Sequence, residues 1–164
     1  MKIYNNNFNH ILDDVTAELM SSKFRYDWNN NIFVLDNIKS NPNVKYMMEM
    51  ICNTVSNTNI KKSFVLARSY GQEYIHRIDD DTTRVICSPY GAKWMINWGG
   101  HITFHNNDKK QFDDTYASNS EAIKYISDID NSIILFDSDI ICYEHFLSKY
   151  FPFLKFTIVI DFVK

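Results

Sequence analysis

Cysteine is scarce in this sequence, and its three copies, Cys52, Cys87 and Cys142, are odd in number and widely spaced. Neither a CxxC pair nor the spacing of a disulfide scaffold is present, which excludes a small stapled fold and points to a reducing, cytoplasmic compartment. Long apolar runs are missing too. Nothing approaches the roughly 20 residues that a membrane span needs, and the N-terminal MKIYNNNFNH has no apolar stretch of the secretory kind, so no membrane partner is expected. There is no excess of positive charge: 17 Lys and Arg stand against 20 Asp and Glu, for a formal net charge of -3. The basic residues form no stripe, which removes the electrostatic case for nucleic acid. With only 4 glycines and 3 prolines, the asparagine-rich texture does not read as a linker. What is abundant is apolar: 45% hydrophobic and 15% aromatic residues over a length of 164 suffice for one packed domain, 1–164.

Between Asn7 and Met20, Phe8, Ile11, Leu12, Val15 and Leu19 recur at helical spacing, with Asp13, Asp14 and Glu18 on the other side, which predicts an amphipathic helix. FRYDW and IFVLDNI flank an asparagine turn and read as two short strands, or as one strand and an approach to it. A second helix starts at Asn41-Pro42 and carries Val44, Met47, Met48, Ile51 and Val55 on one face. From Ser63 onward short β-prone runs dominate (SFVLARSY, EYIH, TRVICS, HITFH, SIILFD, FTIVIDFV). An exception is expected around 113–130, where Ser120 can cap a short helix carrying Ala122, Ile123, Tyr125 and Ile126. The pattern is therefore 1–62 as helical support and 63–164 as a strand-rich core with a helical insert. It predicts an α+β domain whose helices cover one face of a sheet that curls into a sandwich or barrel.

Candidate chemistry concentrates between Arg68 and Phe104, which holds His76, His101, the run Asp79-Asp80-Asp81 and all four glycines. His76 ends a strand-like run and is followed at once by the aspartates, offering imidazole and carboxylate to one metal. Register works against Asp79, because on an extended segment it faces away from His76 unless the chain bulges by one residue. Asp80 and Asp81 read as a solvated turn. Lys155 lies inside the apolar FPFLKFTIVI, where an uncompensated ammonium is costly, so it requires an anion. Trp94 and Trp98 read as core or rim aromatics.

Laid out in this way, RSYGQEYIHR, WGGHITF and IILFDSDIICYEHF...FLKFTIVIDF resemble the compact prolyl-4-hydroxylase-like branch of the Fe(II)/2-oxoglutarate oxygenases. The likeness runs from about Arg68 to Val163. It implies a double-stranded β-helix, or jelly roll, with the N-terminal helices packed on one face. It also implies Fe(II) and 2-oxoglutarate as cofactors, a small molecule or peptide side chain as substrate, and a facial set of two histidines and one carboxylate around the iron. Residue by residue, His76 matches the first ligand. Ile78 stands where the carboxylate belongs, leaving Asp79 as its substitute. Cys142 stands at the distal histidine, with His145 three residues on as the other donor. Lys155 and Thr157 match the cosubstrate anchor, with Tyr70 as a further candidate there; Trp98 matches the WGG turn, and with His101 and Arg84 it is a candidate for the substrate pocket.

Two functions follow. If His76 and Asp79 with Cys142 or His145 hold iron, the chain is a 2-oxoglutarate-dependent hydroxylase with an atypical metal site. If they do not, it is an iron-free binding or regulatory module, or an enzyme of different chemistry, on the same β-helix, because a fold does not by itself confer chemistry.

Overall fold

The computed structural model describes residues 1–4, 8–90, 95–106, 122, 124–126 and 132–164. In chain order its elements are β1 (Lys2–Tyr4), α1 (Leu12–Ser21), β2 (Arg25–Asp27), β3 (Ile32–Leu35), α2 (Pro42–Val55), β4 (Ile60–Arg68), β5 (Tyr74–His76), β6 (Thr82–Cys87), β7 (Ile102–Asn106), β8 (Lys124–Ile126), β9 (Ile133–Asp137), β10 (Ile140–Glu144) and β11 (Lys155–Val163). They form a seven-stranded sheet in the order β1-β9-β6-β11-β4-β3-β2 and a four-stranded sheet in the order β5-β10-β7-β8. Every pairing within the two sheets is antiparallel. This is the expected α+β jelly roll.

Strand β11 shows why the sequence folds this way. It lies between β4 and β6, so neither edge is open, and residues of both parities are buried; a strand buried on both faces reads as a near-continuous apolar run. Phe156, Ile158, Ile160 and Phe162 join the core under the helices. Val159, of the other parity, joins the core between the sheets. The four on the helix side are fully buried, each worth about 1.5–3 kcal/mol. Lys155, Thr157 and Asp161 share the parity of Val159, which carries three polar side chains into the space between the sheets.

The helices pack on the larger sheet, with Leu12, Val15, Leu19, Val44, Met47 and Ile51 in its outer core. The first helix begins later than its periodicity suggests. Phe8 is buried, but it precedes the helix in a turn closed by Ile11 N–H donating to the Phe8 carbonyl (3.0 Å). Glu18 is not merely part of the polar face, since its Oε2 accepts from the Val44 N–H at 2.9 Å. It thereby puts a carboxylate at the N-terminus of α2, where backbone donors lack partners. Asn41, free of capping duty, donates through Nδ2 to Ser22 Oγ (2.6 Å).

The expected helical insert is corrected where it can be seen. Lys124–Ile126 is strand β8, with Ile102 opposite Ile126 on β7. Short apolar runs fit either period, and here pairing with an open sheet edge decides. Residues 113–121, 123 and 127–130, like Trp94, lie outside the described residues. Strand β1 was not anticipated, because three residues are too few to show a pattern. Among the described residues no helix is long and apolar enough to cross a membrane.

Candidate functional site

At one end of the inter-sheet space a single carboxylate gathers four side chains. Glu144, the last residue of β10, is fully buried, as are Arg68 at the end of β4, His76 at the end of β5 and Lys155 at the start of β11. Strand register brings them together. Arg68 is directly opposite Lys155 on the larger sheet, Tyr74 is opposite Glu144 on the smaller one, and His76 is one inward position away. Glu144 Oε1 accepts from His76 Nε2 at 2.7 Å. Its Oε2 accepts from Lys155 Nζ at 2.7 Å, from Thr157 Oγ1 at 3.2 Å, and from Arg68 Nη2.

The cations are themselves held. Arg68 Nη1 donates to the carbonyls of Glu144 (3.1 Å), His145 (3.2 Å) and Gln72 (3.4 Å). Lys155 Nζ donates to the Gly100 carbonyl at 3.1 Å, and the glycine pair supplies that approach. Gly99 and Gly100 both have φ of 68°, and a Cβ on Gly99 would lie 2.8 Å from the Phe146 carbonyl oxygen. A side chain there would have to displace backbone.

The charge states follow from burial and partners. Burial alone would push the Glu144 carboxyl up. Arg68, Lys155 and the His76 hydrogen bond outweigh it and hold the group well below the ordinary carboxylate range. Burial lowers His76 despite its carboxylate neighbour. The neutral imidazole must carry its proton on Nε2, since a carboxylate only accepts, and this leaves Nδ1 as a bare lone pair. Nδ1 has no hydrogen-bond partner among the described residues, and neither does Arg68 Nε. Burial pushes the Lys155 ammonium down to about 8, against the pull of Glu144. Below that pH the centre holds two cations and one anion.

A pH effect on stability follows. Because the folded-state value of Lys155 is below the ordinary 10.5, the native chain binds fewer protons than the unfolded chain between those limits, and stability rises with pH. Burial raises Cys52 and Cys142 above the ordinary thiol value of 9.0, and this opposes the gain once unfolded thiols ionise. We expect the stability gap between the wild type and Lys155→Met, in which the thiols are shared, to shift by about 1 kcal/mol in favour of the wild type from pH 7 to pH 9. Denaturant unfolding at the two pH values reads it, and a constant gap would contradict it.

The other predicted site residues disperse. Asp79 lies in an exposed turn, where its Oδ2 and Asp81 Oδ1 accept from Lys61 Nζ at 3.0 and 2.9 Å. No bulge carries it toward His76. Cys142 is directly opposite His76 in the register, but it is packed in the apolar core and kept as a thiol by burial and then by the nearby Glu144 charge. His145 belongs to the outward face of the smaller sheet. It stacks on His101 with centroids 3.9 Å apart and bonds Thr103 Oγ1 at 2.9 Å. Burial and then the neighbouring His101 and His105 lower it to about 4.

Nor do the expected pocket residues assemble. Arg84 is buried against Asp161, through Nε to Oδ1 (2.6 Å) and Nη2 to Oδ2 (2.8 Å). His101 lies in the outer imidazole stack and Trp98 packs on Phe151 with centroids 5.4 Å apart; Tyr70, expected at the cosubstrate anchor, is 65% exposed. Glu144 was not singled out in the sequence, and Arg68 entered there only as the start of the candidate stretch. The signal that could have found Glu144 is parity: it shares the inward face of its strand with Cys142.

No protein-family model and no curated protein sequence matches the chain. Solved structures do. A prolyl hydroxylase from Trichoplax adhaerens, in complex with a hypoxia-inducible-factor peptide fragment, superposes with a TM-score of 0.71 at 15% identity, covering 99% of this chain and 82% of that one. HygX from Streptomyces hygroscopicus, with nickel and 2-oxoglutarate bound, gives 0.71 at 7% identity, covering 97% and 80%. A Pseudomonas putida prolyl-4-hydroxylase gives 0.64 at 8% identity, covering 95% and 88%. The chain has the double-stranded β-helix fold of the 2-oxoglutarate/Fe(II) oxygenases.

The described residues do not fit their metal. Among the described residues no three His, Cys, Asp or Glu side chains are placed to hold an ion. His76 Nε2 is engaged by Glu144, and Arg68 and Lys155 beside the ring favour an anion over a divalent cation.

Proposed function

We propose that this chain uses the double-stranded β-helix as an iron-free binding or regulatory scaffold and does not carry oxygenase chemistry. The observation that supports this most is the hydrogen bond from His76 Nε2 to a Glu144 carboxylate that Arg68, Lys155 and Thr157 also hold. An imidazole committed in this way has no lone pair at Nε2 for a metal, and a group clamped by four donors is costly to displace. The positions of Asp79 on the surface and His145 on the outer face of the sheet support the same reading. Its partner, on this reading, is a peptide or small molecule, the kinds of ligand that the Trichoplax enzyme and HygX carry in their solved complexes. Three cysteines that are all buried free thiols support a reducing compartment such as the cytoplasm.

Anaerobic titration with Fe(II) in the presence of 2-oxoglutarate tests the reading. The expected result is no visible charge-transfer band and no stoichiometric metal. A band that appears with one equivalent of Fe(II) and is abolished by His76→Ala would overturn it.

A further inference from the structure

Two buried cations, a hydroxyl and an imidazole N–H are aimed at one point between the sheets, and the group at that point is a carboxylate of the chain itself. Three of the four donors do not depend on Glu144 for their placement. Arg68 is fixed by three backbone carbonyls, Lys155 by the carbonyl of Gly100, and Thr157 by its place on the most extensively paired strand. They form a preorganised carboxylate receptor. The occupant arrives on a two-carbon tether from β10, so its effective concentration at the receptor exceeds that of a free acid.

We propose that Glu144 is a tethered ligand in a carboxylate-binding site made by Arg68, Lys155, Thr157 and His76, which keeps the wild-type chain closed to free acids and which accepts a small monocarboxylate once the tether is cut. The proposal deepens the iron-free reading by assigning the ligand class of the same site, and its test is run in metal-free buffer so that only the anion half is read.

Cutting the tether at two lengths makes the test specific. Glu144→Ala removes the equivalent of acetate, and Glu144→Gly the equivalent of propionate. Thermal unfolding of each is followed against sodium acetate and sodium propionate, with sodium chloride at equal ionic strength as reference. We expect Glu144→Ala to respond best to acetate and Glu144→Gly to propionate, each saturably, with a midpoint rise of about 5–10 °C at a hundredfold excess over Kd. The wild type, and Glu144→Gln with its site filled by an amide, are expected not to move.

If either variant is unfolded in chloride, the expected outcome is recovery of the folded chain on refolding in the matching carboxylate and none in chloride. The proposal is overturned if neither variant is stabilised or recovered by a carboxylate beyond chloride, or if the wild type responds as strongly as the variants. Iron binding by the wild type would overturn the iron-free reading without moving any of these midpoints.

Discussion

Replacing Glu144 by alanine is expected to cost about 3–5 kcal/mol of stability, the loss that follows when one partner of a buried ionic group is removed and the others stay. Arg68 and Lys155 would then face each other without an anion in a space where both are fully buried, and the N–H of His76 would lose its acceptor. Set against a total stability of about 5–15 kcal/mol, this is a large effect for one residue. Denaturant unfolding measures it directly. Adding Lys155→Ala to Glu144→Ala should recover part of the loss, because it removes one of the two uncompensated charges; a double-mutant cycle gives the coupling. A cost below about 1 kcal/mol, typical of exposed pairs, would contradict a sealed centre.

The second large effect is at the opposite end of β11. Asp161 and Arg84 are cross-strand partners joined by two hydrogen bonds, with side chains only 9% and 7% exposed. Asp161→Ala leaves a guanidinium buried and is expected to cost about 3 kcal/mol. The matched control is Asp36→Ala at the hairpin, where Arg25 and Asp36 pair at 2.7 Å but are about half exposed; that loss should stay below about 1 kcal/mol. Unfolding curves for the two variants side by side decide it. Comparable small losses would mean that Arg84 is better solvated than its burial implies, and would return it to consideration as a ligand-facing residue.

The parts of the fold that were legible in the sequence are those with several repeats of one period. The apolar faces of α1 and α2 and the doubly buried run of β11 each carry enough alternation to identify themselves, whereas the segments around Asn29, Asn30 and Asn31 left two strands and one strand with an approach both open until β2 paired with β3. Strands β1 and β8, three residues each, do not; they exist because β9 and β7 offer them an edge. At the site, the apolar neighbours of Lys155 already required an anion. Which anion was hidden, because the contact joins residues 11 positions apart across two sheets. Glu144 itself was obscured by its neighbours: in IICYEH, attention falls on the cysteine and the histidine, while the glutamate looks like a surface residue. Only parity separates them. Cys142 and Glu144 point inward and His145 outward, and the same rule that places Asp79 away from His76 would have placed Glu144 beside it.

The iron-free account is tested most directly at His76 Nε2. Long-range proton–nitrogen correlation spectra of the imidazole, recorded with and without one equivalent of a diamagnetic divalent metal such as Zn(II), report which nitrogen carries the proton. The account predicts a neutral ring protonated at Nε2, with the proton shifted by its hydrogen bond to Glu144 and both nitrogen signals unchanged when metal is added. A ring protonated at Nδ1, or an Nε2 signal that moves stoichiometrically with metal, would contradict it.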